Sequence, residues 1–421
     1  MQAEEIKVRR RKAQIKRLEE HVDVLQLKIR ELESVQEVQH QTSVSTAPPT
    51  GTATTSSSSS TTLGGSARRQ AGRTVSPELT REQTTQLAAM FLPHAGQFRL
   101  PVSTTSSYLP VLRPRGCPLA DAVFAIASFF ASPNSPWTGY DEAFFERALT
   151  ALCGSEVPKL RKIQGHALLA SYAFLRAQPR RDTTTQYWAQ QTHRQTSAAM
   201  YVATMLGLHR IPPSENGREE DRETWWMVYA LDRALAPIWG VSSGPRDSSI
   251  STTFERQEEG GSGLAGLREV GTDGETRFSL HVKTLSLRAQ AYEVIQSHEP
   301  DRHIPQSYWT KFYAATETLS RLGGAEDAST RLVAQSTLVA LYGLINDREP
   351  AMLAIDAIVE ALAVVDTEGF QTLDPIVEFC LRDVAQFLEN DQELFGVDDV
   401  AENRLQAVVG AIATLEQVYH P

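Results

Sequence analysis

Apolar side chains along the chain fall into three regimes. Ile15, Leu18, Val22, Leu25, Ile29 and Leu32 recur at alternating steps of three and four, the seam of a heptad repeat with Ile15, Val22 and Ile29 at a and Leu18, Leu25 and Leu32 at d. β-branched a positions with Leu at d favour two parallel strands. Gln36 and Gln39 occupy the next seam positions, so the zipper is short and a larger domain must help it dimerise. From Thr42 to Ser76 the chain turns to Ser, Thr, Gly and Pro, including Ser56 to Ser60 and Gly64-Gly65. Such a stretch cannot bury enough apolar surface to offset its ordering entropy and reads as a tether. After residue 80 apolar positions return at helical spacing and period-two alternation is rare.

The third regime predicts an all-α body. Helices are expected over Leu119 to Ala131, Tyr140 to Leu152, Pro158 to Arg176, Thr184 to Leu208 and Glu219 to Ala236, the last two separated by Pro212-Pro213. A polar loop from about Ser242 to Gly274 follows, marked by Gly260-Gly261-Ser262-Gly263. Helices resume at Arg277 to Gln296, Gln306 to Leu322, Ala328 to Ile345, Pro350 to Val365, Leu373 to Leu388 and Ala401 to Val418. The expected organisation is therefore a basic segment and coiled coil over 1–40, a linker over 41–80 and a helical domain over 81–421.

Charge and cysteine usage narrow the classes. Across 421 residues acidic side chains outnumber basic ones by 51 − 41 = 10, so contact with nucleic acid has to come from a local basic segment. One exists at Lys7, Arg9, Arg10, Arg11 and Lys12, just ahead of the zipper. It can be read as a phosphate-gripping arm of a DNA-binding dimer, as an import signal, or as a solvated helix end. Arg68, Arg69 and Arg73 form a weaker cluster in the linker. Cys117, Cys153 and Cys380 lie far apart, which removes a disulfide framework and a zinc ribbon and suits a reducing compartment. The longest apolar run, Leu119 to Ala131, is too short to span a bilayer, and the start of the chain has no signal-peptide core. Neither secretion nor membrane insertion is expected.

The most informative stretch is Gly165 to Ile250. Leu206-Gly207-Leu208-His209-Arg210 is followed, after a polar gap, by Arg222, Trp225-Trp226, Tyr229 and Leu231-Asp232-Arg233. On physical grounds Trp225, Tyr229 and Asp232 share a helix face and read as core packing. Gly207 suits a helix cap, His209 and Arg210 complement a helix C-terminus, and Asp232 with Arg233 or Arg222 reads as a structural ion pair.

In order and spacing this stretch resembles the middle homology region of fungal zinc binuclear cluster transcription factors. The resemblance is strongest here and extends over about residues 85 to 420. It assigns family-motif positions to Leu206, Gly207, Leu208, His209, Arg222, Trp225, Trp226, Asp232 and Arg233, and it implies a nuclear, dimeric regulator of transcription by RNA polymerase II. Homodimers or heterodimers through the coiled coil, a small-molecule effector or a coregulator would be its partners. In that family a zinc cluster precedes a basic linker and coiled coil. No cysteine precedes Cys117, so this chain holds no cofactor of its own; zinc and DNA enter only if an N-terminal cluster lies upstream of Met1. The alternative is an interaction partner that heterodimerises with complete family members without reading DNA. Two departures from the pattern are Arg222-Glu223-Thr224 before the Trp pair and Gly240-Val241-Ser242 after the helix.

Enzyme readings are weaker. Gly240 to Gly244 fits G-x-S-x-G, yet the expected element ahead of it is a helix rather than the strand of a nucleophile elbow. Glu219, Glu220, Asp221 and Glu223 match no magnesium-binding spacing and read as an acidic first helix turn. No catalytic or metal residue is assigned.

Overall fold

The computed structural model describes residues 79–101, 117–154, 156–177, 183–212, 215, 217–239, 244–245, 247–252, 277–296, 306–396 and 399–419. The basic segment, the zipper and the linker up to residue 78 lie outside them. Among the described residues there are thirteen α-helices and no strand, the all-α class expected from periodicity.

In chain order these are α1 (Arg81–Phe91), α2 (Pro118–Phe129), α3 (Asp141–Leu152), α4 (Lys159–Arg176), α5 (Thr183–Met205), α6 (Glu219–Trp239), α7 (Arg277–Gln296), α8 (Gln306–Leu322), α9 (Ala328–Leu344), α10 (Arg348–Ala363), α11 (Thr367–Thr372), α12 (Ile376–Phe395) and α13 (Asp399–Tyr419). Among the described residues the body takes in 79–389 and 399–419; the end of α12 beyond Glu389 groups separately. Successive helices pack as neighbours, α2 on α3, α4 on α5, α6 on α7 and α9 on α10, and α4 touches α2, α3, α5 and α6. Short connections make such antiparallel neighbours the easy solution.

Local chemistry sets the ends. Thr80 caps α1 through a reciprocal box with Gln83, each side chain receiving the other's backbone N–H. Asp327 caps α9 and Asp366 caps α11 through side-chain oxygens. α2 opens with Pro118, where a missing N–H costs nothing, and Pro118 to Ser128 are all buried. That stretch is short enough and apolar enough to serve as the centre of the first layers.

Several boundaries differ from the sequence expectation; α5 ends at Met205 short of Leu208, and α12 runs on to Phe395 beyond Leu388. α6 continues through Pro237 to Trp239 rather than stopping at Ala236; a proline forfeits one intrahelical bond, and packed neighbours on both sides keep the helix going. The helix expected from Leu373 starts at Ile376. Leu373 is extended, and Asp374 uses its side chain to receive the Ile376 N–H at 3.0 Å, while the separate helix α11 precedes it.

Candidate functional site

The motif residues converge where α5, α6, α7 and the segment 244–252 meet. α5 ends at Met205, and Gly207 at φ 71° supplies the left-handed residue that turns the chain into a short 3-10 turn, Leu208–Arg210. A Cβ on Gly207 would touch nothing within 4 Å, so glycine is required by backbone conformation alone. Leu206 is half-buried, and Leu208 and His209 are buried. The His209 ring lies 5.8 Å from that of Trp225. Burial, reinforced by the charge of Arg210, lowers the His209 pKa and keeps the ring neutral.

The turn is then stitched to a segment forty residues later. His209 O receives the N–H groups of Ser251 (2.9 Å) and Thr252 (3.3 Å). Thr252 Oγ1 receives the Ile211 N–H (2.9 Å) and donates to Leu208 O (2.5 Å). Arg222 has a different task from the ion pair considered for it. Its guanidinium is buried and donates to the carbonyls of Pro212 (2.9 Å) and Glu215 (2.7 Å), fixing the polar gap that separates the two halves of the motif.

On α6, Trp225 and Trp226 are fully buried and pack around Tyr229, with ring centroids 6.0 and 5.4 Å from it. They are core residues, as helical spacing suggests. Asp232 and Arg233 are also buried; Arg233 Nη1 lies 3.9 Å from Asp232 but its other nitrogen donates to Asp247 at 2.8 Å and to Pro245 O at 3.0 Å. The Arg233 guanidinium stands 4.9 Å from the Tyr229 ring centroid.

Asp247 is thus the hub, a role that sequence reasoning did not assign to it. It receives Tyr229 Oη (3.0 Å), Arg233, Ser286 Oγ (3.3 Å) and Gln290 Nε2 (3.0 Å). Tyr229 also lies 2.9 Å from Ser286 Oγ. Burial raises the Tyr229 pKa, so the phenol keeps its proton as a donor. Gly244 lies against this cluster: a Cβ there would come 2.9 Å from Asp232 Oδ2 and 3.2 Å from Met200 Cε. The arrangement is a clasp. It holds segment 244–252 on α6 and α7 through carboxylate, carbonyl and hydroxyl acceptors.

Two motifs weighed for chemistry adjoin the clasp. Helix α6 leads directly into the G-x-S-x-G stretch, of which only Gly244 falls among the described residues, packed on Asp232. In the acidic turn of α6, Glu220 pairs with Arg161 of α4 and Asp221 with Arg218. Gln164 links the same turn to Thr224 at 2.9 Å. These carboxylates are engaged by arginines rather than simply solvated.

Comparison with known proteins gives one match. Residues 118–260, from the start of α2 past the clasp, match the fungal specific transcription factor domain, a regulatory and non-enzymatic family. No curated protein and no solved structure matches the chain. Among the described residues no helix is long and apolar enough to cross a membrane.

Proposed function

From a fungal specific transcription factor domain at residues 118–260 as the premise, we propose that the chain is a nuclear, dimeric regulator of transcription by RNA polymerase II. The observation that carries this reading is the folded motif itself. The two halves, Leu206 to Arg210 and Arg222 to Arg233, occupy adjoining elements of the matched region and are tied together by Arg222, Thr252 and Asp247. Such a unit offers packing and clasping rather than chemistry.

The remaining parts of the reading rest on the sequence. Lys7, Arg9, Arg10, Arg11 and Lys12 would grip phosphates, and Ile15, Leu18, Val22, Leu25, Ile29 and Leu32 would pair two chains. The test is chromatin crosslinking of the tagged full chain, together with sedimentation of the purified protein. Enrichment at discrete promoters and a dimer that becomes monomeric on Leu18→Ala with Leu25→Ala are the expected outcomes. A chain that remains in the cytosol and never crosslinks to chromatin overturns the reading.

A second reading is an interaction partner that heterodimerises with complete family members through the zipper. It predicts that chromatin enrichment disappears when the captured relative is depleted, whereas a chain with its own DNA contact keeps it. Reading the codons upstream of Met1 separates the same alternatives, because a six-cysteine cluster in frame would bring zinc and sequence-specific DNA contact.

A further inference from the structure

A second polar cluster lies in the body and belongs to none of the motif residues. Helix α1 packs on α2, and Phe91 stacks on Phe98; past α1 the chain runs through Leu92–His94 to Leu100 and adds contacts with Phe130 and with residues much farther along the sequence. His94 stacks on Phe130 with ring centroids 4.1 Å apart, Phe98 leans on the same ring at 6.3 Å, and Phe130 meets the edge of Tyr419 at 6.4 Å. Gln97 donates to the carbonyl of Gln371, and Tyr419 donates to that of Leu373. The run ends in Arg99, whose guanidinium donates to Asp374 and lies 3.3 Å from His281 Nε2.

Asp374 is committed on several sides. Its Oδ2 receives the His281 Nε2–H at 2.8 Å, its Oδ1 caps α12, and its N–H donates to Ser329 at 3.0 Å. Thr330 stands 3.3 Å from His281 Nδ1 and donates to Asp327 at 2.6 Å. The side chains of Arg99, His281 and Asp374 are each less than a tenth exposed.

This contact closes at a local cost. Arg99 has φ 54°, a left-handed backbone on a residue with a Cβ. Its Nε is buried without a partner, and a guanidinium removed from water depends on its one carboxylate. Strain and desolvation concentrated at one closed contact narrow the gap between its closed and open states, which is the physical condition for local release ahead of global unfolding.

We propose that residues 80–101 form a releasable clasp, latched by the Arg99–Asp374 pair onto α7 and the start of α12, which opens while the α4–α6 core stays folded. Because this arm connects the N-terminal 79 residues to the body, its opening changes how that segment is attached. The release itself is independent of the transcriptional reading; its use as a regulatory coupling rests on that reading.

The test is hydrogen exchange by mass spectrometry on the full chain, wild type beside Arg99→Met, Asp374→Asn and the double variant. Asn at 374 retains the oxygen that caps α12. Each single change strands one buried charge and is expected to speed exchange across 84–100 at least tenfold, with peptides from 163–175 and 224–235 changing less than twofold. The double variant strands neither and is expected to return to within threefold of wild type. Exchange that rises together in the arm and in α4 and α6 overturns the proposal, because the pair is then an inseparable part of the core. So does an arm unmoved by the single changes, or a double variant as open as either single one.

Discussion

Replacing Asp247 by alanine removes one acceptor from four donors, and the structure fixes how much each should count. Arg233 is the costly one: its side chain is 8 % exposed and donates to Asp247 at 2.8 Å, so the substitution removes the nearest carboxylate from a nearly buried guanidinium that otherwise reaches Pro245 O and the more distant Asp232. Charged hydrogen bonds of this kind contribute about 1.5–3 kcal/mol, and that of Tyr229 counts for less because its hydroxyl has Ser286 Oγ at 2.9 Å as an alternative acceptor. Ser286 at 3.3 Å and the exposed Gln290 add little. Asp247 is itself 27 % exposed, which lets water reach the vacated place and reduces the total to about 2 kcal/mol. That corresponds to roughly a 30-fold change in an opening equilibrium. The informative assay is local, since a body of thirteen helices need not unfold in one step. Amide exchange of Ser251, Thr252 and Ile211, whose N–H groups bond His209 O and Thr252 Oγ1, should accelerate by about that factor in Asp247→Ala. If it stays within threefold of wild type, Asp247 is an ornament of segment 244–252 and the clasp lies elsewhere.

Three further outcomes follow from burial and backbone geometry. Burial pushes the Asp121 carboxyl up to about 6 against the opposing pull of Arg147. The folded state therefore favours the protonated form, so the stabilising contribution is complete below pH 4 and is lost as pH rises toward 6. Urea unfolding should show Asp121→Asn gaining on wild type by about 2–3 kcal/mol between pH 4 and pH 7; an unchanged gap refutes the buried-carboxylate argument. His281 has the opposite sign, because burial and the neighbouring Arg99 push it down to about 3. The neutral ring is the folded form, stability from this group is complete above pH 6.5 and declines as pH falls, and His281→Gln should flatten the acid limb of the same titration. Lastly, Gly207→Ala should cost about 1 kcal/mol for its left-handed backbone, while Gly410→Ala in α13 should add about 0.5–1 kcal/mol, both read from urea midpoints. A Cβ at either glycine meets nothing within 4 Å, so equal effects at the two sites would show that conformation is not the cause.

Helices with one apolar face were legible in the sequence because spacing alone declares them: α3, α4 and α6 fall within a few residues of the positions expected. α7 was expected at Arg277 to Gln296 and lies there, but what it buries was not legible. His281, Lys283, Thr284, Ser286 and Arg288 are buried on it, and apolar spacing says nothing of where such polar side chains find partners. Their partners, Asp374, Asp247 and Tyr229, come from elsewhere in the chain, and only the fold brings them close. Arg222 illustrates the same limit. Its residue type suggested an ion pair, yet backbone carbonyls of a loop satisfy it, and loop paths are not written in periodicity. The Trp225-Trp226 pair, by contrast, needed no partner information, since two large apolar rings on a helical face have nowhere else to go.

The reach of Arg99 also has a consequence for biosynthesis. Its carboxylate partner lies 275 residues later, so at about 5–20 residues per second a ribosome needs roughly 14–55 s to deliver Asp374 after Arg99. During that interval α1 can pack on α2, and His94 and Phe98 on Phe130, from chain already translated. The latch at Arg99 has to wait for the last quarter of the chain, so it is the final part of the arm to close.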